Sequence, residues 1–215
     1  MHDLAQEKPE KLAEMRELFL AQAEENKVFP IGAGIWLRIH PEDRIKSPYT
    51  AWTFDETTTR MPEFTAPALG HHNNTVTVDL ECGEDASGVL YAIGGAGGGL
   101  TCYMDKGHLM FEYNLMIIDR SIAKSVEKIA SGKHTVVVNT SLKAPKSGAA
   151  ADIVLSLDGK EFARTTVKFT VPAAFTASES FDVGTDLGST VSRDYFNRRP
   201  FKFDGQIHKV SVELK

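Results

Sequence analysis

Cysteine is nearly absent from this chain: two in 215 residues, Cys82 and Cys102. Neither belongs to a CxxC pair or a Cys/His cluster, which excludes the common zinc sites. Both fall at strand-like positions with apolar neighbours, so they read as two buried thiols rather than a bridge. A basic excess is also lacking. The 24 Lys and Arg face 29 Asp and Glu, for a net charge of −5 and a pI near 5.8. Nucleic acid is therefore not an expected partner, because phosphate binding needs a clustered positive surface. No apolar run approaches the ~20 residues of a membrane span, so no membrane partner is expected either. The start, Met1-His2-Asp3-Leu4, has neither the basic stretch nor the apolar core of a secretory leader.

What remains is an ordinary globular composition, 42% hydrophobic and 25% charged, enough for one domain with an appendage. Residues 8–26 predict the only helix. Pro9 suits the first turn, Glu10 favours the N-terminus, and Asn26 can end it. Leu12, Met15, Leu18, Phe19 and Ala23 recur at threes and fours as one apolar stripe. Residues 32–48 are punctuated by Gly and Pro and read as a linker. From Tyr49 the pattern is β. Residues 75–82 alternate strictly through Val76, Val78, Leu80 and Cys82. Further strands are predicted at 52–54, 57–60, 88–93, 99–104, 108–114, 134–142, 152–157 and 161–169. Asp158-Gly159 marks a two-residue hairpin. Ten to twelve strands with frequent turns predict a sandwich or barrel.

The C-terminal stretch is the most patterned. Ile207, Val210, Val212 and Leu214 put one apolar face on a strand, Phe201 and Phe203 share its period, and Asp204-Gly205 reads as a turn. A closing hairpin of 201–203 with 206–214 is therefore expected.

Asp-Val-Gly at 182–184, then Pro200-Phe201, then Phe203-x-Gly205-x-Ile207-x-x-Val210 resembles the end of laminin-G and concanavalin-like sandwiches. A longer pattern adds Asp186, Gly188, Val191, Asp194 and Tyr195 at fixed spacings, and resembles the C-terminal end of long bacterial arylsulfatases. Gly94-Gly95-x-Gly97-Gly98, Tyr103-x-x-x-Gly107-x-Leu109-x-x-x-Tyr113-Asn114 and Gly132-x-His134-Thr135-Val136 are similar to that family's appended sandwich. The segment from Asp3-Leu4-Ala5 to Val28-Phe29-Pro30-Ile31 resembles the helix that closes its catalytic domain, and Met1-His2 suits a cut before that turn.

The resemblance implies an all-β, jelly-roll-like antiparallel β-sandwich of concanavalin A-like or laminin-G-like type over residues 47–215. Residues 1–46 would be the helix and linker left from a catalytic domain. The expected function is an accessory domain that packs on or stabilises the catalytic domain of a parent arylsulfatase. Homo-oligomerisation through the helix stripe is a further expected contact, and the setting would be soluble, in a bacterial cytoplasm or periplasm. A stand-alone carbohydrate-binding, lectin-like module is the alternative.

The family's chemistry needs a formylglycine made from Cys or Ser in a Cys/Ser-x-Pro-x-Arg motif, with calcium polarising the sulfate. Cys82 is followed by Gly-Glu-Asp-Ala and Cys102 by Tyr-Met-Asp-Lys. Neither fits, so no catalytic residue and no resident cofactor is expected in this chain.

Weaker candidates remain. Asp182, Asp186 and Asp194, with Ser189, supply hard oxygens on a Gly-rich loop, either as a structural calcium site or as turn caps. Tyr195, Arg198 and Arg199 are candidate ligand residues for a sugar or sulfate, or a packing cluster. The glycines of 94–99 lack a following Lys-Ser/Thr and a helix, so they predict a close β connection, not a phosphate loop. His71-His72 point apart on an extended chain and predict a solvated loop. Trp36 and Trp52 predict packing rather than a sugar platform. Glu112 has no carboxylate partner at i+2 or i+4, which weakens a glycanase reading.

Overall fold

A computed structural model describes residues 4–26, 40, 48–176 and 178–215. The chain divides into two compact units, Met1–Arg44 and Ile45–Lys215.

In the first unit the expected helix is α1, Pro9–Glu25, with proline in its first turn and Glu10 beside it. The Asn26 N–H and amide both bond the Gln22 carbonyl and end the helix. Ala23 is buried, whereas Leu12, Met15, Leu18 and Phe19 are exposed on it. The expected linker, and Trp36 in it, lie outside the described residues apart from His40 and the start of the sandwich unit.

The second unit is a sandwich of two six-stranded antiparallel sheets. Sheet A runs β1 (Ala51–Phe54), β12 (Gln206–Leu214), β3 (Asn74–Cys82), β8 (Gly132–Leu142), β9 (Ala151–Leu157), β10 (Lys160–Val167). Sheet B runs β2 (Met61–Pro62), β11 (Ser180–Val183), β4 (Gly88–Gly95), β5 (Gly98–Asp105), β6 (His108–Leu115), β7 (Asp119–Lys128). Alternation in β3 and β12 sends Val76, Val78, Leu80, Val210 and Val212 into the core, where they meet Leu100, Cys102, Phe111, Tyr113 and Phe181 of sheet B. Trp52 packs half-buried against that core, as expected. The two cysteines are free, buried, and on different sheets.

Three expectations need correction. Residues 201–203 do not pair with β12 as a hairpin. The neighbours of β12 are β1 and β3, and Phe203 donates its N–H to the Gly184 carbonyl while Lys202 bridges Val89 in parallel. Asp204 is spent on the Ser87 N–H, which pulls the turn towards β4 instead of folding it onto β12. Residues 57–60 are not a strand: Asp55 caps the Thr57 N–H and hydroxyl in a tight turn. A strand absent from the sequence reading, β7, closes sheet B.

Sheet A shows polar residues to solvent, but the central strands of sheet B are buried on both faces. Residues 184–204 lie across the outer face of sheet B as a strap and form a second core. Val191, Tyr195 and Phe201 of the strap cover Val89, Ala92, Tyr103 and Met110 of the sheet.

Candidate functional site

By strand register, Asp182, Ala92, Thr101, Glu112 and Ile122 form one row across the outer face of sheet B. Val89, Tyr103, Met110 and Lys124 form the next. The strap runs over both. Its rings pack on Tyr103: Tyr195 edge-on at 5.0 Å, and Phe201 stacked on Tyr195 at 4.9 Å.

Polar groups lock this seat. The Tyr195 hydroxyl donates to Asp186 Oδ2 at 2.6 Å and lies 3.1 Å from the Thr101 hydroxyl. The Val191 N–H donates to the same Asp186 oxygen at 2.9 Å. The Tyr103 hydroxyl donates to Asp194 at 3.0 Å. Buried Glu112 is ion-paired with Arg120, whose guanidinium also reaches the Val191 carbonyl at 3.2 Å. Burial pushes the Asp186 carboxyl up to about 7, against its two hydrogen bonds and with help from nearby Asp182 and Glu179. Its other oxygen is buried without a hydrogen-bond partner.

The glycines of 94–99 make this close approach possible, as expected of a close β connection. A Cβ on Gly95 would lie 2.4 Å from Ser189 Oγ, and one on Gly99 would lie 2.8 Å from Val191 Cγ2. Side chains there would lift the strap off the sheet.

The structure separates the three candidate calcium ligands by task. Asp182 accepts the Arg60 N–H at 2.6 Å and the Ser180 hydroxyl at 2.9 Å. Asp186 ties the strap to itself through Tyr195 and Val191, and Asp194 accepts the Tyr103 hydroxyl of the sheet. Among the described residues no three His, Cys, Asp or Glu side chains group as a metal site requires.

The candidate ligand residues also divide. Tyr195 is fully buried, so a ligand cannot reach it. Arg198 is bound through both terminal nitrogens to Asp105 at 2.8 and 3.0 Å and lies over the Phe201 ring. That pairing holds the Asp105 carboxyl below its ordinary range. Arg199 stays at the surface, over the half-exposed Phe196 ring at 4.5 Å. His71 and His72, expected to point apart, instead bring their rings to 4.7 Å, tilted by 51°, because the loop before β3 is not extended there.

Burial raises both thiol pKa values, and Cys102 is wholly enclosed. Neither thiol should react with Ellman's reagent in the native protein, and both should react after denaturation. Fast native labelling of Cys102 would contradict this packing.

Beside the strap, at the β2–β11 edge, a cleft of about 350 Å³ opens between Arg60, Pro62, Ser178, Glu179, Ser180, Leu187 and Gly188. Arg60 sits at positive φ (56°), with its N–H held by Asp182. Its exposed guanidinium has no ion-pair partner among the described residues. Glu179 uses one oxygen on the Ser189 hydroxyl at 2.6 Å. The cleft thus combines a cation, a carboxylate, hydroxyls and two apolar side chains. No sequence motif marks it, because its residues come from two segments some 120 positions apart. A smaller groove of about 200 Å³ on sheet A is lined by Asp79, His134, Asp158 and His208, among others.

No protein-family model matches the chain, and no curated protein matches it. Solved structures do. The CBM40 of the Ruminococcus gnavus IT-sialidase superposes with a TM-score of 0.51 at 16% identity, over 77% of this chain and 90% of that one. The LG1-3 region of the laminin alpha2 chain gives 0.49 at 15% identity, over 75% of this chain and 30% of that one. The SAP-like pentraxin of Limulus polyphemus gives 0.44 at 12% identity, over 80% and 74%. The CBM40 likeness establishes a shared sandwich fold, the class expected from the sequence.

Proposed function

We propose that this chain is a carbohydrate-binding, lectin-like module and that the Arg60–Glu179 cleft is its saccharide site. The carrying observation is the lining of that cleft. A sugar ring presents hydroxyls on its edge and C–H groups on its faces, so it needs charged or polar groups converging beside apolar surface. Arg60, Glu179 and the serine hydroxyls supply the first; Pro62 and Leu187 supply the second. The volume lies in the range of small-ligand sites, ~300–1,000 Å³. The sandwich fold that the chain shares with a module named CBM40 supports the same reading.

Buried Glu112 is engaged by Arg120 and covered by the strap. It is not free to serve as an acid on substrate. Binding should be found on a glycan array and measured by calorimetry, and Arg60→Ala should weaken it at least ~10-fold, as losing a charged hydrogen bond does. Absence of binding to every glycan on the array, or full affinity in Arg60→Ala, would defeat the proposal.

An accessory role beside a sulfatase catalytic domain is the second reading, with α1 as the remnant of that partner or a contact to another copy. The positions that carry the sulfatase resemblance, from Asp182 through Tyr195 to Phe201, build the strap and its seat. In this chain they carry structure rather than chemistry. Restoration of activity to a separately expressed sulfatase catalytic domain by this chain would favour that reading.

A further inference from the structure

The β6–β7 hairpin ends in Met116-Ile117-Ile118, all exposed, with Ile118 at 80%. Met116 and Ile117 sit at φ +48° and +66°, and the Ile118 N–H closes the turn on the Leu115 carbonyl at 2.7 Å. Such a turn favours Asn-Gly, and a β-branched residue is strained there. The chain accepts that strain while presenting three large apolar side chains to water.

Other elements bring matching residues to the same end. The Tyr113 hydroxyl, two residues from the turn, donates to the Gly70 carbonyl and accepts the Val171 N–H. The segment leaving β10 is thereby fastened beside the hairpin, and it carries Phe169, 63% exposed, next to Lys168. Register places the β8–β9 loop with Lys146, and Lys215 after β12, at this end too: Val167 pairs with Ala151, Leu142 with Ala151, and Leu214 with Asn74. Lys146, Lys168 and Lys215 are exposed and have no ion-pair partner among the described residues. Of the acids here, Glu63 turns inward onto the Phe175 and Thr176 N–H groups, Glu179 accepts the Ser189 hydroxyl, Asp152 is taken by Thr166 and Lys143, Asp119 is half-buried, and Glu213 is exposed two residues before Lys215.

We propose that this end of the sandwich, led by Met116, Ile117, Ile118 and Phe169 and ringed by lysines, seats the domain on an anionic lipid surface. No helix among the described residues is long and apolar enough to cross a membrane, but a peripheral contact needs none. Apolar side chains enter the headgroup boundary while basic groups meet lipid phosphates and carboxylates. A two-fold contact through this tip would set its lysines against the same lysines of a second copy, whereas an anionic surface offers them a complement. The proposal is independent of the saccharide cleft.

The full chain should sediment with vesicles of phosphatidylcholine and about one third phosphatidylserine, and far less with phosphatidylcholine alone. Ile117→Asp with Ile118→Asp should lower that binding at least ~10-fold. Met116→Asn with Ile117→Gly, which installs the favoured turn, should hold or raise the melting temperature and still lose the vesicles. That split separates a lipid-facing role from a structural one. Lys146→Glu with Lys168→Glu should weaken binding to the anionic vesicles. Failure of the wild-type chain to sediment with them, or sedimentation of the aspartate variant like wild type, overturns the proposal. So does a two-chain mass by light scattering that falls to one chain in the aspartate variant, which would assign the surface to a second copy.

Discussion

Truncating Tyr195 to alanine should destabilise the sandwich by about 3–5 kcal/mol, the range for removing a large buried aromatic, and lower its melting temperature by roughly 10 °C. The ring is fully buried between Tyr103 and Phe201, so its loss opens a cavity under the strap. It also removes a donor from a buried carboxylate. Tyr195→Phe isolates the second effect. It keeps the stack but takes one hydrogen bond from Asp186, which should cost about 1–3 kcal/mol. Urea unfolding followed by circular dichroism measures both. An alanine variant as stable as wild type would mean that the strap contributes little to holding the domain together.

The second large effect is on pH. Folding raises the Asp186 carboxyl to about 7, whereas an unfolded aspartate titrates near ~3.9. Between these values the folded chain holds a proton there that the unfolded chain releases. Stability from this group is therefore fully present below about pH 4 and falls as pH rises towards 7, by up to about 4 kcal/mol. Asp105, held low by Arg198, works in the opposite direction, so the raw stability profile mixes several groups. The informative quantity is the difference between wild type and Asp186→Asn, since an amide cannot titrate. That difference should change steeply between pH 4 and 7 and be flat above 8. No pH dependence in the difference would mean that water reaches Asp186 and relieves the burial.

Sheet A was legible in the sequence because one of its faces meets water. Val76, Val78 and Leu80 alternate with Thr75, Thr77 and Asp79, and the period of two survives in the residues. Sheet B was legible only in part. β4 to β6 are buried on both faces, so alternation gives way to nearly continuous apolar runs. β7 escaped because its pattern is inverted. Its inward positions are Ser121, Ala123 and Ser125, while Ile122 and Val126 face solvent. The strap residues stood out as a motif, yet their spacing suggested a loop and a hairpin. What they do depends on Gly95 and Gly99, some ninety positions earlier, being bare enough to receive Ser189 and Val191. Asp182, Asp186 and Asp194 looked like a ligand set for the same reason: sequence proximity does not reveal that one faces Arg60, one Tyr195 and one Tyr103. The Arg60 cleft had no sequence signal of its own.

β12 lies between β1 and β3, in the interior of sheet A. A ribosome making this chain must therefore release residue 214 before the sheet can assemble. Until then β3 shows an open edge of unpaired backbone, flanked by valines that belong in the core. Sheet A therefore cannot close until β12 has been made, however early β8 to β10 have paired.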